Sequence, residues 1–258
     1  MKRGQARFFF WLAGWRALLE RKLLTAGRPV RARVRPCRRT HRRRACFSTF
    51  AATSMSSVDY FKPKTATELG DWLRAHGVDP SSWGDGISKS LEQLLDEVDD
   101  GESLLTVEGG RALRSVRVVS VAVRAPGSSR VLVEAKQTFP DGRERCRNVL
   151  LAEKLIGSEP PVAAARRGVS EELGSAFSSK GSLLAPERVV VDEDSLQTFV
   201  TSHPSAVSYP GLPCRYTLTR VNATVAGLPW GPFSTTEPRP GGVLRTHWEW
   251  RDEPPAVT

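Results

Sequence analysis

The sequence predicts an α+β fold: a largely curved mixed sheet carrying one main helix, with a short helical region in front of it. Three observations predict this. The hydrophobic period changes near Leu104, from spacings of three and four to alternation. One segment of helical period, Pro160 to Gly174, sits inside a run of strand-like segments. Asp141-Gly142, following Pro140, is a reverse-turn signal that joins two of those strands as a hairpin.

Charge divides the chain before any element begins. Of its 258 residues, residues 1–57 hold 15 Lys or Arg against the single acid Glu20, while the other 201 hold 23 bases against 27 acids. A net charge of +10 for the whole chain therefore describes the leader, and the remainder is mildly acidic. An acidic domain has no general attraction to phosphate backbones, so specific nucleic-acid binding is not expected of it. Arg28, Arg31, Arg33, Arg35, Arg38, Arg39 and Arg42 to Arg44 follow one another without an acid, and Phe47 to Ser57 is rich in Ser, Thr and Ala. That combination reads as an organelle transit peptide, with chloroplast preferred and mitochondrion the alternative; a basic RNA-binding arm is the competing reading. The apolar run Phe8 to Trp15 is too short to span a bilayer, so no membrane segment is expected. Cys37 and Cys46 fall in the leader; Cys146 and Cys214 follow, with no metal-binding or disulfide spacing, and are expected as buried or semi-buried thiols.

The expected organisation is a transit peptide over 1–57, a helical region over 58–103 and a domain over 104–258. Thr65 and Glu68 have capping-box spacing, Leu69, Trp72 and Leu73 follow at helical intervals, and Gly77 ends the helix. Leu91, Leu94, Leu95 and Val98 form the apolar face of a second helix, stopped by Gly101. These helices read as a packing appendage without chemistry. Strands are expected around Val116–Val123, Val131–Thr138, Glu144–Leu151, Val189–Val191, Gln197–Thr201, Tyr216–Val225 and His247–Trp250. Thr235 to Gly242, rich in Pro and Gly, reads as a surface loop.

The chemistry concentrates between Leu150 and Gly174. Pro160 and Pro161 suit a first helical turn, where amide hydrogens lack partners anyway. Val162, Ala165, Val169 and Leu173 make an apolar stripe that would pack on a sheet. Glu171 and Glu172 project from the other side, near the unfavourable end of the helix dipole, and Gly174 stops the helix. Paired carboxylates there are either a solvated face or hard-oxygen ligands for Mg2+.

This stretch resembles the Nudix box, G-x5-E-x7-R-E-U-x-E-E-x-G-U with U a bulky aliphatic. Glu159, Arg167, Val169, Glu171, Glu172 and Gly174 match it. Glu153 stands where the pattern has its first glycine, Gly168 where it has the first glutamate of the R-E pair, and Ser175 at the final U. The resemblance covers the box and its flanking strands, roughly Val116 to His247, and not the two N-terminal helices; the whole arrangement is similar to plant organellar Nudix-like proteins. It implies an α/β/α sandwich with a curved mixed sheet, and metal-dependent cleavage of nucleoside diphosphates linked to another moiety. Glu171 and Glu172 would hold Mg2+, and Glu159 would pair with Arg167 to brace the loop. The carboxylate missing at Gly168 makes the motif degenerate and the Mg2+ site weak. By position Glu153 is the nearest replacement, against the reading of an exposed loop acid; the distal acids Asp192, Glu193 and Asp194 are a weaker one.

Two further features weigh less. In a strand His247 and Glu249 face one way and Trp248 and Trp250 the other, for core packing or for stacking on a base. Asn222-Ala-Thr224 matches a glycosylation acceptor only formally. Three functions stay open: a degenerate Nudix-like protein that binds a nucleotide-like ligand or a protein partner, an active Mg2+-dependent pyrophosphohydrolase, and an RNA-associated protein acting through its basic leader.

Overall fold

Capping chemistry sets the first elements. In the computed structural model, which describes residues 60–178, 184, 188–239 and 241–255, helix α1 spans Ala66–Ala75 and Thr65 caps it by accepting from the Glu68 amide at 3.1 Å. Helix α2 spans Leu91–Asp99 and opens on a full capping box in which Ser90 and Gln93 satisfy each other's amides. Gly77 and Gly101 follow the two helices at φ +78° and +74°, a conformation that costs other residues a Cβ clash. The leader readings, from the transit peptide and its chloroplast or mitochondrial destination to Cys37 and Cys46, lie outside the described residues. No helix among the described residues is long and apolar enough to cross a membrane.

From Leu104 the chain builds a nine-stranded mixed sheet: β1 Leu104–Glu108, β2 Arg111–Arg124, β3 Val131–Thr138, β4 Glu144–Val149, β5 Leu151–Lys154, β6 Val189–His203, β7 Cys214–Val225, β8 Phe233–Arg239 and β9 Gly242–Arg251. The long strand β2 is its spine. One edge of β2 pairs in parallel with β7 from Arg114 to Arg124; the other is shared in turn by β1, β5 and the first residue of β3, all antiparallel. Strand β3 then leaves β2 and takes β9 on one side and β4 on the other, and β8 closes that end against β9. A bulge between Glu134 and Lys136 disturbs both of β3's ladders, which bends the strand.

Helix α3, Pro161–Leu173, lies on one face of the sheet. Ala165, Val169 and Leu173 are fully buried against Val119, Val121 and Val123 of β2, Leu151 of β5 and Trp248 and Trp250 of β9. Burying Val169 and Leu173 stabilises the fold by about 1.5–3 kcal/mol each. Even-numbered positions of β2 face the other way. There α1, α2 and the segment around Tyr209–Leu212 cover β1 and the start of β2, and Ala206 packs on Val116 and Val118.

Several expectations need correction. Thr235 to Gly242 is no loop: residues to Arg239 form β8, and Gly241 and Gly242, both at positive φ, turn it into β9. Pro238 is tolerated because β8 is a sheet edge with its ladder only toward β9. The two short strands expected between Val189 and Thr201 are one long edge strand, irregular between Asp192 and Gln197. The strand expected to run to Leu151 ends at Val149, just past Asn148 at φ +54° in the β3–β4 irregularity, and Leu151 onward forms β5 on β2. Gly174 does not stop the helix in a left-handed cap: its φ is −56°, and helix α4, Ser175–Ser178, follows directly. Its need for glycine is close approach, since a Cβ there would lie 2.5 Å from the Ser170 carbonyl oxygen. Cys214 is buried, but Cys146 is exposed because it lies on the outer face of the β3–β4 hairpin.

Candidate functional site

Strand β5 holds only four residues, and their alternation decides the site. Leu151 and Glu153 point toward α3, whereas Lys154 points to the opposite face, toward α2. Glu153 is therefore not an exposed loop acid; it is 3 % exposed, pressed between the sheet and the helix. Gly168 is where it presses. A Cβ on Gly168 would lie 2.8 Å from Glu153 Cβ and 2.9 Å from its Cγ, distances that real carbon atoms do not keep.

Arg167 organises the loop between β5 and α3. Its Nε donates to Glu159 Oε1 at 3.1 Å and its Nη2 to Glu159 Oε2 at 2.9 Å. Nη2 also reaches the Lys154 carbonyl at 2.7 Å, and Nη1 donates to Glu153 Oε1 at 2.6 Å. Glu159 in turn accepts from the Ile156 amide at 3.2 Å, which closes the loop on itself. The planar guanidinium suits this task because its fixed fork can serve several acceptors at once. Glu171, one turn along, is 3.6 Å from Arg167 with its side chain half exposed.

Glu172 does not share the outward direction expected of both helix acids. It is half-buried, and the charges of Glu134 on β3, Glu153 on β5, Glu237 on β8 and its neighbour Glu171 all act on it. Burial first, and then these four charges, push its carboxyl well above the usual range. Burial likewise lifts Glu153 to about 8 in spite of Arg167. Three of the surrounding acids are already paired. Arg147 holds Glu134 at 3.0 and 3.3 Å, Arg167 holds Glu153, and Arg239 holds Glu237 at 2.9 Å. Glu172 has no basic partner among the described residues.

Glu134 and Glu237 were not candidates from the sequence. Glu134 had a readable signal, an acid at a core-facing position in the run Val131-Leu-Val-Glu134; Glu237 had none, since its strand was taken for a loop. Asp192, Glu193 and Asp194 are exposed on the irregular part of edge strand β6. Trp248 and Trp250 are core residues, donating their indole hydrogens to Thr235 Oγ1 at 2.8 Å and the Pro229 carbonyl at 2.7 Å. Their faces are therefore not free for a base. His247 lies on the other face between Thr138 and Ser234, each at 3.0 Å.

A divalent cation fits the chemistry of this donor set, which is all hard oxygen, but not as a finished cage. Among the described residues no group of three or more His, Cys, Asp or Glu stands at metal-holding separation. Guanidinium groups hold the outer acids back, and of the helix acids Glu172 has no ion pair and half-exposed Glu171 only a long one, 3.6 Å from Arg167.

Comparison with known proteins adds little to this geometry. No protein-family model matches the chain, and no curated protein matches it. Among solved structures, a C. elegans Ap4A hydrolase binary complex aligns at TM-score 0.30 and 15 % identity, over 52 % of this chain and 77 % of that one. A Nudix hydrolase from M. smegmatis, RenU, aligns at TM-score 0.25 and 21 % identity, over 52 % and 69 %. Superpositions this loose leave the fold to be described by its own elements: a mixed sheet with a few helices.

Proposed function

We propose that this chain is a Nudix-like protein with a degenerate motif that binds a diphosphate-bearing, nucleotide-like ligand through a divalent cation and hydrolyses it weakly or not at all. One observation carries the reading. Glu172 lies in the field of four other carboxylates without a base of its own, and a divalent cation with its phosphate ligand is the chemistry that would let those charges coexist. Mg2+ is the expected ion; when bound it would neutralise phosphoryl oxygens and make an attached water more acidic. Weak hydrolysis follows from what the chain's own residues do. Glu159 braces the loop through Arg167, Glu134 is locked to Arg147, and Gly168 presents no side chain.

The second reading, an active pyrophosphohydrolase, is favoured by Glu153, whose carboxyl, lifted by burial to about 8, is poised to exchange a proton near neutral pH. A panel of nucleoside diphosphate conjugates and dinucleoside polyphosphates, assayed with Mg2+ and Mn2+, separates the two. Binding with slow or absent turnover supports the first; turnover that Glu171→Gln abolishes selects the second. A folded protein that binds no conjugate with either metal overturns both. We further assign residues 1–57 to import, with the plastid as destination, and a fluorescent fusion of that segment tests it. RNA binding that survives its deletion would revive the RNA-associated reading.

A further inference from the structure

We propose that the outer edge of strand β6 is a dimer interface, on which a second copy of this chain pairs antiparallel over residues 197–203 about a two-fold axis at Val200.

Strand β6 ends the sheet: it pairs with β7 and with no other strand among the described residues. An open edge offers a row of backbone donors and acceptors, and proteins ordinarily blunt it with proline, charge or brevity. This sheet does so elsewhere. Edge strand β8 holds seven residues, and Glu237, Pro238 and Arg239 are among them. Strand β4, which pairs only with β3, holds six, with Glu144, Arg145 and Arg147 among them. Strand β6 runs to 15 residues with no proline, lysine or arginine, and over residues 195–203 it carries no acid either. Its apolar side chains face water. Val190, Leu196, Phe199 and Val200 are four of the ten large hydrophobic side chains exposed among the described residues, and no other strand collects as many. Val200 is 65 % exposed and Phe199 48 %. As chain neighbours they stand on opposite faces of the sheet. A partner lying on one face would cover only one of them, whereas a strand added to the edge covers both.

The register follows from the ladder already present. Residues 197–203 pair with β7 without a break, from Gln197 with Arg220 to His203 with Cys214, while the stretch between Asp192 and Gln197 is irregular. The irregular stretch stops an added strand, so the regular ladder has Val200 at its middle. About a two-fold axis normal to the sheet, residues that oppose each other share a face. Val200 then meets its own copy, Phe199 meets Thr201, and Thr198 meets Ser202.

Charge selects both the direction and the partner. Parallel copies would set Asp192, Glu193 and Asp194 of each beside those of the other, and like charges directly opposite destabilise a sheet. Antiparallel pairing carries the two acidic runs to opposite ends. A strand without a base gives a phosphate-bearing or acidic partner nothing to bind. A second copy brings an edge that is uncharged, apolar on both faces and equally unprotected. The contact uses the same patch on both copies, and with β8 blunted it closes at two instead of growing into a fibre.

The test is sedimentation equilibrium of the full chain over a range of concentrations, with thermal melts at dilutions where the chain is monomeric as the control for folding. A reversible dimer is expected. Val200→Lys sets two ammonium groups opposite each other and should weaken it by about tenfold or more, while the melting temperature of the monomer holds because the side chain is mostly exposed. Cysteine cross-linking reads the register. In a chain carrying Cys37→Ser, Cys46→Ser and Cys146→Ser, Val200→Cys should form an intermolecular disulfide under mild oxidation. Thr198→Cys should not, since its twin would lie roughly 13 Å along the strand. A folded chain that stays monomeric at high concentration overturns the proposal, and slow hydrogen exchange of residues 197–203 in that monomer would assign the edge to another segment of the same chain. A dimer that Val200→Lys leaves intact overturns the interface. Equal cross-linking through Thr198→Cys overturns the register, and assemblies larger than two overturn the closure.

Discussion

Two clusters of charge lie on opposite faces of strand β5, one residue apart in sequence. On the Lys154 side, Glu97 of α2 meets Lys89 at 2.6 Å, Arg114 at 2.6 Å and Lys154 at 3.1 Å. Lys154 also holds Glu102 at 2.8 Å, and Ser103 links Glu97 to Arg114. Every one of these ionic side chains is at most 6 % exposed, and two acids face three bases. Burial alone would raise the Glu97 carboxyl, but Arg114, Lys154 and Lys89 outweigh it and hold it well below the usual range. On the Glu153 side, acids outnumber bases and burial wins, so carboxyls rise. The difference teaches how to read buried charge. In the first cluster every charged group has a partner of opposite sign within ion-pair distance; in the second Glu172 has none among the described residues. The first cluster also ties the packing appendage of α1 and α2 to the sheet, since Glu97 of α2 is its centre.

The largest effect should come from Glu97→Ala. It strands the buried Lys89 and Arg114 and takes from Lys154 one of its two acids, and breaking a buried pair costs about 3–5 kcal/mol. The expected outcome in a chemical-denaturation curve is loss of much of the stability of the whole chain, not only of the helices; a change under about 1 kcal/mol would break the comparison. Gly168→Ala comes next. Overlap with the Cβ and Cγ of Glu153 should cost about 1–3 kcal/mol despite alanine's better helix propensity, and most of that loss should vanish when Glu153→Gly, which removes both atoms, is added. Additive losses in that double-mutant cycle would show that the two positions do not compete for space.

Acidity sharpens the contrast further. A carboxyl raised to about 8 in the folded chain and near 4.5 when unfolded binds its proton more tightly when folded. Its contribution is full below about 4.5 and is lost as pH rises through about 8. Stability measured from pH 5 to pH 8 should therefore fall, Glu153→Gln should flatten the slope, and Mg2+ should flatten it if the cluster is a cation site. The smallest effect should be Glu237→Gln. Its pair with Arg239 is partly solvated, and the melting curve should move by less than about 1 kcal/mol.

Local signals made much of this molecule readable. Thr65, Gly77 and Gly101 mark helix ends because capping involves only neighbouring residues. Asp141 and Gly142 mark their hairpin for the same reason, and the stripe Ala165, Val169 and Leu173 gives the buried face of α3. Partners far along the chain were not readable. Nothing in α2 says that Glu97 will meet Lys154, and nothing near Glu153 says that the chain, once past Val149, crosses from β3 to β2. Strand β8 was hidden by proline and glycine that an edge position forgives. In the site, the motif spacing located Glu159, Arg167, Glu171 and Glu172, whereas Glu134 and Glu237 join them only through the sheet.

One contact near the start of the described chain has a practical sequel. Phe61 bridges Leu105 at the head of β1, and its ring stacks on Trp72 with centroids 4.5 Å apart. The segment ahead of the sheet is thereby stitched to it at the first strand as well as at Glu97. Anyone trimming this protein for expression should cut before Tyr60 and not at the beginning of the sheet, because the shorter piece would leave Arg114 and Lys154 without the acid they close around.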